Sequence, residues 1–157
     1  MTPPVLPGLL SGLSPEHAEQ VMALGTHINL APGAVLFRLG DSADSVFLIE
    51  RGRISLTLPM QVAGRDEDIQ VEERLPGETV GWSALIEPHR FTLKATASLQ
   101  TTVIAFSRAA LNGHFATRPD VGYAFIRNVA AVIGQRLQVS QAMWLREMQR
   151  VVESRLA

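Results

Sequence analysis

Between residues 27 and 106 the sequence falls into short runs of period two, and five of the seven runs are followed by a glycine-bearing turn. The runs are 27–30, 35–38, 45–50, 53–59, 68–75, 91–97 and 101–106. They are separated by Pro32-Gly33, Gly40-Asp41, Arg51-Gly52, Ala63-Gly64 and Pro76-Gly77. A period of two is that of a strand. The pattern predicts a mainly β protein with about seven or eight short strands, closed or folded double into an antiparallel barrel of the jelly-roll class. In the 68–75 run Ile69 and Val71 alternate with Asp68, Gln70 and Glu72, so one of its faces is wet.

Helices flank this region. Ser14-Pro15-Glu16 supplies a hydroxyl cap, a proline at the first helical position and an acid in the first turn, and Gly25 is expected to end that helix. Ser107 is expected to cap a short helix through Phe115, and Asp120 a long one beginning at Val121. Gly134 weakens the long helix by about 1 kcal/mol relative to alanine without stopping it. Continuous to the end of the chain, it would span roughly 55 Å, more than the width of a small barrel. Its inner part, to about Ile133, is expected to pack on the barrel. Ile133, Leu137, Trp144, Met148 and Val151 form a stripe at spacings of four, seven, four and three, the register of a two-helix seam. Arg136, Gln138, Gln149, Arg150 and Glu153 fall on other faces. The stripe predicts homodimerisation through residues 121–156, because an apolar stripe left in water invites association.

The 157 residues are read as a single domain: an N-terminal helix at 9–25, the β region at 27–106 and C-terminal helices at 107–157. There is no cysteine, which excludes thiolate metal sites and cysteine nucleophiles. No apolar run approaches a membrane span, and residues 1–7 carry three prolines and no basic residue, unlike a secretory signal. These features predict a soluble, cytoplasmic protein. Fourteen basic and fifteen acidic residues give a net charge of −1 without a concentrated basic face, which argues against a nucleic-acid surface.

The candidate ligand site is the stretch 77–97. Pro76-Gly77 leads through a short apolar approach to Gly81, and Trp82, Ser83, Ala84, Leu85 and Ile86 read as about one helical turn stopped by Pro88. A glycine before such a turn lets backbone amides converge on an anion, although a tight bend between two strands is the commoner reason for one such glycine.

In this order of parts the chain resembles the cyclic-nucleotide-binding domain, the sensor module of catabolite-activator-type regulators and of cyclic-nucleotide-gated kinases and channels. The resemblance runs from residue 9 to about 137. It rests on Gly33 in Ala-Pro-Gly-Ala-Val-Leu-Phe, Gly40 in Arg-Leu-Gly-Asp-Ser-Ala-Asp, Gly52 in Glu-Arg-Gly-Arg, Gly77 in Leu-Pro-Gly-Glu, and Gly81. It implies an antiparallel β-roll with an N-terminal helix and a long C-terminal helix. It also implies a phosphate-binding cassette containing Gly81, Trp82, Ser83, Ala84, Leu85, Arg90 and Thr92. The ligand implied is a cyclic nucleotide or other small anion, with no further cofactor and no metal.

Two departures from the family pattern bear on function. The position of the glutamate that accepts the ribose hydroxyl is Trp82, whose indole donates one hydrogen bond and accepts none. The position of the phosphate-binding arginine is Phe91, with Arg90 one residue earlier and so on the opposite face of a strand. Three readings follow, of which the first, a regulatory sensor that binds a small anionic ligand and signals through its C-terminal helix, is the one expected. Ser83, His89, Arg90 and Lys94 keep a hydroxyl and positive charge for some anionic ligand. Alternatively Trp82 and Phe91 fill the pocket, leaving a dimerisation module; or Trp82 stacks on a flat ring. Catabolite-type regulators continue into a helix-turn-helix, whereas this sequence stops at Ala157, so a stand-alone form without direct DNA binding, acting through a protein partner, is expected.

Enzyme chemistry finds no support in the sequence. His17, His27, His89 and His114 are scattered without the His-x-His of a cupin metal site, and Asp41, Asp44 and Glu50 suit turns and a wet barrel face.

Overall fold

The computed structural model describes residues 8–157; residues 1–7, read above as no secretory signal, lie outside the described residues. A short turn at Gly8–Leu10 precedes helix α1, Pro15–Met22. The strands follow: β1 Thr26–Leu30, β2 Val35–Phe37, β3 Ser45–Arg51, β4 Ile54–Val62, β5 Arg65–Arg74, β6 Thr79–Val80, β7 Lys94–Ala97 and β8 Thr101–Ser107. One helical turn, Trp82–Leu85, interrupts them between β6 and β7. Helices α2, Arg108–Thr117, and α3, Pro119–Leu156, complete the described residues.

Among these residues the strands form two four-stranded antiparallel sheets, ordered β1-β8-β3-β6 and β2-β7-β4-β5. Alternation along a strand sends successive side chains to opposite faces, and β3 uses both. Its Phe47 and Ile49 join Phe37, Ile54, Leu56 and Val103 between the sheets. Its Val46 and Leu48 join Ile104, Phe106, Leu111, Val121 and Phe125 beneath the helices. The sheets and helices therefore share strands β3 and β8, so the helices ride directly on the wall of the roll.

The strand runs hold with shifted ends. The 91–97 run is a strand only from Lys94, because Phe91 instead exchanges backbone hydrogen bonds with the 40–41 turn: its N–H reaches the Asp41 carbonyl at 3.0 Å and its C=O accepts from Gly40 at 2.8 Å. Thr79 and Val80, read as a mere approach, pair with Leu48 and Phe47 as β6. The β4–β5 hairpin turns through Ala63 and Gly64, both at positive φ, the pair of conformations a two-residue hairpin requires. Toward its tip both faces are wet: Ile69 and Val71 are exposed as well as Asp68 and Gln70.

Ser14 caps α1 by accepting from the His17 N–H at 3.2 Å, but Gly25 does not end it. The helix stops at Met22 with Ala23 in the right-handed region, and Gly25 is required for another reason: a Cβ there would lie 2.3 Å from Ile104 Cγ2. Ser107 caps α2, which runs two residues beyond Phe115. Helix α3 begins at Pro119, so Asp120 lies inside its first turn and is not the cap; its carboxylate instead faces Arg118 at 3.4 Å. That contact and the first-turn amides hold the Asp120 carboxyl below its ordinary range.

Helix α3 passes Gly134 unbroken for 38 residues, about 57 Å at 1.5 Å per residue. Its inner half buries Val121, Phe125 and Val129 and partly buries Ile133. Every residue from 137 to 157 is exposed.

Candidate functional site

The cassette is built from the β3 side outward. Gly77 donates to the Ile49 carbonyl at 2.8 Å, and Ile49 donates to the Glu78 carbonyl at 2.9 Å, which leads the chain into β6 and to Gly81. Gly81 has φ +83°, and a Cβ there would press on Phe47 and Phe91 at 3.1 and 3.2 Å. The turn closes with Ala84 donating to the Gly81 carbonyl. Ser83 and Ala84 are buried, while Trp82 and Leu85 lie partly buried against the helical layer. The turn is pinned to the helices by Arg108, whose Nη1 donates to the carbonyls of Ala43 at 2.8 Å and Ala84 at 2.9 Å.

Beside this turn lies a cavity of about 20 Å³, its wall including Gly81, Trp82, Ser83, Phe91, Thr92 and Arg136. Of the residues predicted to bind ligand, Ala84, Leu85 and Arg90 do not line it. Phe91 is buried, and its ring stacks on Phe37 with centroids 3.8 Å apart and planes 9° from parallel. The space suffices for about one water molecule, whereas small-molecule sites run to roughly 300 Å³ or more.

The charges expected near an anion are directed elsewhere. Arg90 is exposed and donates from Nη1 to the Gly40 carbonyl at 3.0 Å, its backbone bridging Ser42. Lys94 pairs with Asp68 at 2.6 Å. His89 sits in the left-handed region, φ +56°, on the loop before Arg90.

The cation that does reach the cavity is Arg136, which sequence reasoning assigned to an outer face of α3. Its Nη2 lies 3.0 Å from Glu72 Oε2; the other Glu72 oxygen lies 2.7 Å from Arg74 Nη2, and Arg74 Nη1 lies 2.9 Å from Glu78. Burial lowers the Arg136 pKa, the Glu72 charge opposes that shift, and nearby Arg74 adds to it. A signal for this residue existed: the buried face Phe125, Val129, Ile133 continues equally at a spacing of three, to Arg136, or of four, to Leu137. The turn glycines Gly33, Gly40, Gly52 and Gly77 all adopt positive φ, between +85° and +92°. No helix among the described residues is long and apolar enough to cross a membrane.

Comparison with known proteins points in one direction. Residues 27–118 match the family model described as the cyclic nucleotide-binding domain. The chain is 29% identical over 123 residues to the Pycsar effector protein XpPycTIR of Xanthomonas perforans, covering 78% of this chain and 37% of that protein. It is 29% identical over 133 residues to the HTH-type transcriptional regulator Cmr of Mycobacterium tuberculosis, covering 83% and 51%. The chain thus spans about half or less of the length of these curated relatives. Its fold is similar to the crystal structure of the N-terminal domain of a transcriptional regulator from Streptomyces coelicolor A3(2), with TM-score 0.70 and 25% identity over 85% of this chain and 91% of that one. A cyclic nucleotide-binding domain from Methylobacillus flagellatus KT superposes with TM-score 0.78 at 20% identity, over 86% and 74% of the two chains. The glycine-punctuated roll, the helical turn after Gly81 and a match across more than half of the residues make this chain a member of the cyclic nucleotide-binding domain family.

Proposed function

We propose that the chain is a non-enzymatic, cytoplasmic regulatory module whose ligand pocket is closed by its own aromatic side chains. Its output runs through the exposed half of α3 to a second copy of the chain and from there to a protein partner, without direct contact to DNA. The observation that carries this reading is the cavity of about 20 Å³ behind the Phe37–Phe91 stack. Where the family pattern has a phosphate-binding arginine, a buried ring occupies the space, and Arg90 is turned to the Gly40 carbonyl. The test is a thermal-shift titration with cyclic AMP, cyclic GMP and small phosphates. A ligand specific for the native state adds about 2.7 kcal/mol at a hundredfold excess over its Kd, a rise of several degrees in Tm. The wild-type protein should show no saturating shift, and the Trp82→Glu, Phe91→Arg double variant should gain one with a cyclic nucleotide. A saturating wild-type shift abolished by Arg90→Ala would overturn the closed-pocket reading.

A second reading is favoured by the backbone at Gly81, whose left-handed conformation leads directly into the Trp82–Leu85 turn. In it, a cyclic nucleotide or another small anion displaces Phe91, draws that turn inward and repositions α3, a shift between two packings.

A further inference from the structure

We infer that Arg136 and Glu72 form a clasp that closes the Trp82–Phe91 pocket and, through the same contact, fixes the direction in which the outer half of α3 leaves the roll. The inference rests on α3 as the output element of the proposed function and describes how that element is held.

Position carries the first part of the argument. Arg136 is the last residue of the described chain that is not exposed, and beyond it the side-chain hydrogen bonds and ion pairs of α3 stay within the helix. Arg136 lines the cavity shared with Trp82 and Phe91, and its guanidinium meets Glu72, on β5, at 3.0 Å. One side chain therefore serves as a wall of the pocket and as the outermost tether of the helix. Displacing Arg136 thus removes a pocket wall and a helix tether together.

The partners make this contact a releasable one. Glu72 keeps Arg74 at 2.7 Å, and Arg74 keeps Glu78 at 2.9 Å, whose other oxygen accepts from the Leu75 N–H at 2.9 Å. If Arg136 leaves, Glu72 remains paired and no buried carboxylate is stranded, which is the outcome that makes breaking most buried ion pairs so costly. Arg136 itself swings into water, reversing the desolvation that burial imposes on it. Gly134 supplies the point of flexure. It lies between Ile133, the last apolar contact, and Arg136; a Cβ there would meet nothing within 4 Å, so packing does not demand a glycine. Its cost to the helix is local backbone freedom, placed where the helix leaves the roll.

Spin-label distances test the clasp. The chain has no cysteine, so cysteines introduced at Ser98 on the roll and Arg146 on the outer helix are the only labelling sites. Labelled protein diluted into excess unlabelled chain reports the intramolecular distance alone. The clasp predicts a single narrow distance in the parent protein, lost in both Arg136→Gln and Glu72→Gln and retained in Arg150→Gln, which breaks only the exposed pair with Glu147. In a Trp144→Phe background, Trp82 emission should shift to the red in the same two variants. Arg136→Gln leaves Glu72 on Arg74 and keeps the test decisive if Glu72→Gln fails to fold. Adding Gly134→Ala to Arg136→Gln should recover the narrow distance; failure to recover it would overturn the assignment of the bend to Gly134. An unchanged distance and emission in Arg136→Gln would overturn the clasp. A monomer in sedimentation with these results intact would overturn the dimer instead.

Discussion

At the scale of single residues, Phe91 decides what the pocket is. The ring is buried between the sheets and stacked on Phe37, so truncation removes its transfer free energy and leaves a void that the two sheets close incompletely. Phe91→Ala is expected to cost about 3–5 kcal/mol, and Phe91→Leu less, measured by urea denaturation with unchanged slope. A loss under about 1 kcal/mol for the alanine would mean that the ring is not part of the core. The turn glycines make a sharper comparison, because Gly33 and Gly52 share the left-handed conformation and differ in surroundings. Around Gly33 a Cβ meets nothing within 4 Å, whereas at Gly52 it would lie 2.5 Å from the Gln100 carbonyl oxygen and 2.6 Å from the Thr101 Cα. Gly33→Ala should therefore cost only the backbone term, about 1–2 kcal/mol, and Gly52→Ala distinctly more because backbone must move. Equal costs in parallel urea melts would show that the β3–β4 turn relaxes freely.

At the scale of elements, the connection between the cassette and the helices runs through Arg108. One guanidinium nitrogen ties the carbonyl of Ala43, before β3, and that of Ala84, in the helical turn, to the start of α2. Arg108→Ala leaves both carbonyls short of a charged donor and is expected to destabilise the protein by about 2–3 kcal/mol. Lysine, lacking the planar fork, should recover little of it. Full recovery by lysine in thermal melts would reduce the contact to simple charge. The strands and their order of turns were legible in the sequence because period two and glycine punctuation are local signals, and β3, β4, β5 and β8 follow them closely. Gly25 was misread as a helix terminator, since its true constraint, the approach of Ile104 from β8, is separated from it by 79 residues and leaves no local trace. Arg136 was missed for a related reason. The helical period alone cannot tell whether a face ends at spacing three or four, and the choice is made by Glu72 on another element. Arg90 and Phe91 show the same limit, because the backbone bonds of Phe91 to the 40–41 turn delay β7 and set which side chain points inward.

At the scale of the whole molecule, the outer half of α3 is an element without a surface to fold against. Trp144 and Leu145 are 62% and 60% exposed, and Met148, Val151 and Val152 extend the same side of the helix. An apolar stripe of this length standing in water is the signature of an association surface. The region also lacks the tertiary packing that normally sustains a helix, and isolated segments of this length are marginal in water. Dimerisation and helix formation beyond Arg136 should therefore be coupled. Placing charge in the seam with Trp144→Glu and Val151→Glu is expected to give a monomer by sedimentation equilibrium. The same variant should lose roughly a third of the far-UV helix signal, since residues 137–156 make up that share of the α-helical residues. The roll, whose two core clusters include no residue of this segment, should keep its cooperative melt. A parent protein that sediments as a monomer with its helix signal intact would instead make α3 a free-standing arm, and the partner of its stripe would have to be a different chain.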